Sequence, residues 1–175
     1  MFGMRITNAD ALLQEELRDI YDFEKRLVRA IPKMAKAATS EELRSGLLEH
    51  LEVTKNHVQR IEQIFDLLNL PAKAKACDGM KGIIAEGEEM LAEDMEPSLH
   101  DVAIVAAARR VEHYEMAAYS GAHAIAEHLG NQEVADLLQQ NWSEEQEADE
   151  KLGELVAEIL ETGVASAPKA GRAGK

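Results

Sequence analysis

Three glutamates stand where an amphipathic helix needs an apolar residue, and this placement limits what the chain can fold into. Helical residues advance by about 100° each. On that register Leu13, Leu17, Ile20, Leu27, Ile31 and Met34 form one stripe, with Glu24 at its centre. A second stripe runs Ile104, Ala108, Val111, Ala118, Ala122, Ile125 and Leu129, interrupted by Glu115, with Glu112 one turn away on the same face. A third runs Val134, Leu138, Asn141, Ala148, Leu152, Leu155 and Ile159 and carries Glu145 in its middle, with Asp149 one turn on and slightly off centre. A fourth stripe, Leu47, Leu51, Val58, Ile61, Phe65 and Leu68, is broken at mid-length by Thr54, with His50 and His57 to one side of it.

These stripes assemble naturally into an all-α antiparallel four-helix bundle. The first helix is expected over about 10–38, with Pro32 inside it, after a short lead-in over 1–8. Thr39 or Ser40 caps the second helix, and Thr39 with Glu42 makes a capping box. The short turn between these helices makes them antiparallel neighbours. Leu70-Pro71 ends the second helix, and 71–97 is long enough to cross the bundle from end to end. A short helix from Met80 to about Glu93 lies within it, stopped by Pro97. Ser98 with Asp101 caps the next helix, Leu129-Gly130 ends it, and Asn131 caps the last. The bundle then occupies 1–162, and 163–175, which has no stripe, is expected to be a disordered tail.

A net charge of −14 in 175 residues argues against nucleic acid and anionic membranes as partners, because both are bound through Lys and Arg. No run approaches the ~20 apolar residues of a membrane span, and no signal peptide is evident. A cytoplasmic protein is the expectation. Cys77 is the single cysteine, which leaves no disulfide framework and no cysteine-built zinc or iron–sulfur site.

Mid-helix positions of an antiparallel bundle lie at one depth, so Glu24, Glu112, Glu115, Glu145 and Asp149 converge. Burying even one unpaired charge costs several kcal/mol. No Lys or Arg occupies a central stripe, so divalent metal is the economical remedy, with carboxylates bridging two ions and imidazole completing the shell. The metal-ligand candidates are Glu24, Glu112, Glu115, Glu145, Asp149, His57 and His50. The bland alternative is a register error that leaves each acid in solvent, but three helices making it at the same depth is hard to arrange. His113 and His128 face outward, His100 is a helix-start residue and His123 a flank residue. Tyr119 lies close enough to its stripe to hydrogen-bond a carboxylate, and Trp142 fills core.

The segments Asp19–Leu27, His50–Thr54 with Val58–Glu62, Ala106–Ala117 and Glu144-Glu145 with Asp149 resemble the YciE/YciF-type stress protein family, of the ferritin-like, rubrerythrin-related superfamily. The resemblance spans about 6–160 and is sharpest at Val111-Glu-His-Tyr-Glu115. It implies a ferritin-like bundle, a homodimer and a site for two divalent ions, iron or manganese. Glu24 matches the glutamate of the superfamily's first helix, and Glu112 and Glu115 its Glu-x-x-Glu. The Glu-x-x-His of the second helix is Thr54-x-x-His57 here, and that of the last helix has Ala148 three residues after Glu145.

Two functional readings follow. One is a di-metal stress protein that oxidises Fe(II) or consumes peroxide. The other is a non-enzymatic acidic helical dimer that binds partner proteins and keeps a vestigial or single-ion site. A ferritin-type storage cage is a third, and nothing in the termini favours it. No protein partner is named by the sequence.

Overall fold

The computed structural model describes residues 6–163. It contains α1 (Ala9–Ala37), α2 (Glu41–Leu67), α3 (Asp78–Leu91), α4 (Pro97–His128) and α5 (Gln132–Thr162), with no strand among the described residues. Helices α1, α2, α4 and α5 make the bundle, and α3 lies in the crossover between its halves. Beyond Gly163, the expected tail lies outside the described residues, as do the first five residues of the lead-in.

Side-chain pairs fix the directions. Tyr21 donates to Glu62 (2.7 Å) while His57 stands against Glu24, so α1 and α2 are antiparallel. Tyr119 meets Asn141 and Arg109 meets Asp149, which makes α4 and α5 antiparallel too. Helix α2 faces α5 through Arg60–Asn141 and His57–Glu144, and α1 faces α4 through Glu24–Tyr119 and Phe23–Tyr114. Leu13, Leu17, Ile20, Leu27, Ile61, Ile64, Phe65, Ile104, Ala122 and Leu138 fill the space between them, each no more than 2% exposed. Among the described residues no helix is long and apolar enough to cross a membrane.

The ends of the helices depart from the sequence reading in instructive ways. Of the two expected caps Ser40 is the one used in α2, its Oγ accepting from the Leu43 amide at 3.3 Å, while Thr39 turns its hydroxyl to Asp101 instead of making a capping box. Pro97 starts α4 rather than stopping α3, since its missing N–H is one that a first turn leaves unpaired anyway. Asp101 does not serve its own helix through Ser98. Buried to 3% exposure, its carboxylate accepts from the amides of Thr39 and Ser40 (both 2.8 Å) and from Thr39 Oγ1 (2.6 Å), tying the start of α2 to α4. Asn131 is the N-cap of α5 by position but makes no side-chain cap bond. Gly130 (φ 71°) and Asn69 (φ 55°) take the left-handed conformation that closes α4 and α2.

Asp101→Ala is expected to cost about 2–3 kcal/mol, because it strands two amides that begin α2. Urea unfolding should show a lower midpoint at unchanged slope, with Asp101→Asn intermediate.

The crossover is pinned to α1 and α4. Cys77 N–H donates to Asp22 (2.8 Å), and its Sγ lies 3.2 Å from Tyr114 Oη. At Gly79 a Cβ would come within 2.6 Å of that same Tyr114 oxygen, so only glycine lets α3 approach α4 here. Lys33 and Glu88 form an exposed ion pair across the α1–α3 seam at 2.8 Å.

Candidate metal centre

The bundle brings six of the seven candidates together. Glu24, Glu145 and His57 are fully buried, Glu115 and Glu112 are 1% and 3% exposed, and His50 is partly buried. They form two groups: His50, Glu112, Glu115 and Glu145 in one, and Glu24, His57 and Glu145 in the other. Within each group the potential ligand atoms lie within 4.8 Å of one another. Glu145 belongs to both.

In the first group His50 Nε2 is 3.4 Å from Glu112 and 3.6 Å from Glu145. In the second, His57 Nδ1 is 2.8 Å from Glu145 Oε1 and 3.5 Å from Glu24 Oε1, without the in-line geometry of a hydrogen bond. Both oxygens of Glu115 and of Glu145, one each of Glu24 and Glu112, and His57 Nδ1 have no hydrogen-bond partner. Buried polar atoms nearly always have one. Seven stranded atoms facing a common space fit a site built for cations.

The surroundings hold the remaining valences of the cluster. Tyr119 Oη donates to Glu24 Oε1 and accepts from Asn141 Nδ2 at 3.0 Å. His57 Nε2 meets Glu144 Oε2 at 2.8 Å, and Arg60 grips Glu144 with two bonds of 2.6 and 2.9 Å while donating to Asn141 at 2.8 Å. A carboxylate behind an imidazole is the arrangement that fixes a ligating histidine's orientation. It leaves Nδ1 of His57 turned to the cluster.

Burial pushes the Glu112 and Glu115 carboxyls well above the usual range, and the nearby Glu145 charge pushes them further. Burial also raises Glu24, with His57 opposing it. Burial raises Glu145 as well, but the His57 imidazolium outweighs it and leaves that carboxyl below the ordinary value. Burial alone would lower His57, yet its bond to Glu144 and the carboxylates of Glu145 and Glu24 beside it lift it to about 12. His50 is lowered, chiefly by burial. Without metal, the core therefore carries one imidazolium and shares protons among acids. The four carboxylates match the charge of two divalent cations once both imidazoles are neutral.

Asp149 is the candidate that the structure removes from the cluster. It lies against Arg109 in a two-point pair (2.7 and 3.0 Å) and 3.3 Å from His113, and the guanidinium holds its carboxyl below the usual range. Half a step off the stripe was enough to turn it to the flank of α5. No Lys or Arg stands on a central stripe, yet one basic side chain reaches the edge of the cluster from beside it. Arg60 stands beside the α2 stripe, but its long stem carries the guanidinium round to Glu144 and Asn141. Glu144 and Arg60 were missed as positioning residues. The signal was there in the i, i+3 pairs His57/Arg60 and Asn141/Glu144, which put matched polar edges on facing helices. Thr54 is buried as expected, but its hydroxyl donates to the His50 carbonyl (2.9 Å).

A family described as "Domain of unknown function (DUF892)" matches residues 8–165. Protein YciF of Escherichia coli (strain K12) is 39% identical over 140 residues, covering 79% of this chain and 84% of that protein. The crystal structure of that E. coli stress protein superposes with a TM-score of 0.87 at 34% identity, covering 90% of this chain and 99% of the other. A Rhodopseudomonas palustris protein, YcfI, described as a putative structural protein, gives 0.84 at 36% identity, over 95% of this chain and 100% of its own. Symerythrin from Cyanophora paradoxa, at 18% identity, shares the fold alone, with a TM-score of 0.65 over 94% of this chain and 92% of its own.

Proposed function

The chain belongs to the DUF892 family and has the ferritin-like four-helix bundle, and from that premise we propose that its core is a centre for two divalent metal ions, iron or manganese. Glu24, His57 and Glu145 would hold one ion and His50, Glu112, Glu115 and Glu145 the other. The observation that carries this reading is Glu145: fully buried, common to both groups, and with neither oxygen hydrogen-bonded. Such a pair of ions supplies redox equivalents and Lewis acidity, suited to oxidising Fe(II) or consuming peroxide under stress.

The protein's own part is positioning. Tyr119, itself held by Asn141, donates to one oxygen of Glu24, leaving the other free to ligate. Arg60 fixes Glu144, and Glu144 fixes His57, so Nδ1 is presented ready oriented. Fully buried side chains keep the Glu24 side dry.

Anaerobic protein given Fe(II) and then air should form ferric ion at least tenfold faster than buffer alone, with a break at two Fe(II) per chain. Peroxide in place of air should be consumed at about one molecule for each pair of Fe(II), each ion giving one of the two electrons that reduce it to water. No binding, together with no acceleration, would overturn the proposal. The mass of the same sample in solution tests the expected homodimer.

One observation favours a narrower reading. Thr54 spends its hydroxyl on its own helix and Ala148 has no ligand atom, so two positions where the resembled superfamily places ligands are silent. A break at one Fe(II) per chain, without turnover, would select a non-enzymatic bundle with a single structural ion.

A further inference from the structure

The sequence pattern expects α5 to be buried along its whole length, yet beyond Glu145 it is only half-buried. Leu152, Leu155 and Ile159 pack against the core without being covered. The reason is an open seam between α2 and α5. It forms a cavity of about 230 Å³, walled by Leu43, Leu47, Val53, Leu152 and Leu155 and reaching His50 and Glu112. Gly46 and Ala148, both lining it, supply the missing bulk. The other end of the same seam is sealed by Arg60, Glu144, His57 and Asn141. The metal centre therefore has a closed side at Glu24 and His57 and an open side at His50 and Glu112.

We infer that this groove takes the apolar chain of a small, uncharged organic molecule, whose polar head comes to rest against the His50–Glu112 end of the centre. The assignment of a head-group site rests on the metal reading above; the chain-binding groove does not. Size supports an organic occupant. A leucine-lined cavity of about 150 Å³ already accepts benzene, and neither a metal ion nor a peroxide molecule needs a leucine-walled space of this volume. Charge supports an uncharged one. The rim carries Glu49 and Glu147 against Lys151, and the floor is acidic, so an anionic head is repelled at both ends. A strongly hydrated cation would gain nothing from the leucine walls. Glu112, on the floor, is 3% exposed, and with His50 it brings the edge of the centre to the inner end of the groove, where a polar head meets it.

Gly46 gives a clean test, because a Cβ there meets nothing within 4 Å. Gly46→Leu fills the groove and removes a glycine from the interior of α2, so it should fold at least as well as the parent. A second apolar cavity, of about 260 Å³, lies between α1, α3 and α4 beside Gly87. Gly87→Leu, whose Cβ would sit 3.5 Å from Ala107 Cβ, serves as the control.

The experiment is calorimetric titration of 1-octanol into chelator-treated protein, repeated by visible absorption on Co(II)-loaded protein. Saturable binding of octanol is expected, at least tenfold weaker in Gly46→Leu and unchanged in Gly87→Leu, with a shift of the cobalt bands that Gly46→Leu abolishes. No saturable binding, or binding that survives Gly46→Leu, overturns the groove. Cobalt bands that ignore bound octanol overturn the placement of the head group. Protein that binds octanol but no cobalt would instead sink the metal reading and leave the groove standing.

Discussion

Glu145→Gln should remove both metal positions in a single step, whereas Glu24→Gln and Glu115→Gln should each remove one. Glu145 is the member common to the two groups, and both of its oxygens are without hydrogen bonds. Outer-shell partners of metal ligands typically contribute 10- to 100-fold in affinity, so loss of a shared ligand should cost on the order of 100-fold or more at each position. Glutamine keeps the volume and removes the charge. That choice matters, because Glu145→Ala would also open a cavity in the core beside His57 and lower stability for a reason unrelated to metal. Calorimetric titration with Mn(II) reads the count directly. Glu144→Gln belongs in the same series, since Glu144 bonds His57, Arg60 and Gln140 and belongs to neither ligand group. It should weaken the Glu24–His57 position by about 10- to 100-fold and spare the other.

Metal should also transform the stability of the fold. The metal-free core sets four carboxylates against one imidazolium, and burial forces Glu112 and Glu115 toward protonation. An ion that binds only the folded chain adds about 2.7 kcal/mol at one hundred times its dissociation constant. Two ions should therefore add about 5 kcal/mol. At roughly 2–4 °C per kcal/mol for a chain of this size, the melting temperature should rise by about 10–20 °C over that of chelator-treated protein. Calorimetric melting with and without chelator checks this. Glu145→Gln should show almost no difference between the two conditions, because it has lost the positions that respond.

Much of this was legible from periodicity. Glu24, Thr54, Glu115 and Glu145 each interrupt an apolar stripe, and all are 1% exposed or less. A residue at the centre of a stripe can point nowhere but inward, whatever its chemistry. Residues beside a stripe were a different matter. Asp149 and Glu144 flank the α5 stripe on either side, and periodicity alone could not say that Asp149 would meet Arg109 while Glu144 would meet His57 and Arg60. Their partners are 40 to 87 residues away, so the outcome depends on which helix lands alongside. Asp101 failed as a local cap for the same reason. Local spacing nominated Ser98, while the folded chain offered two unpaired amides at Thr39 and Ser40. The groove was illegible too, because a stripe that is half-covered looks the same in sequence as one that is fully covered.

The most direct measurement is an anomalous difference map from crystals soaked in Mn(II), collected for the parent protein and for Glu145→Gln. Two peaks, one on the His57 side of Glu145 and one on the His50 side, are the expected result, and both should vanish in the variant. An empty map at full soaking concentration, or peaks confined to surface acids, would contradict a core built to hold two cations.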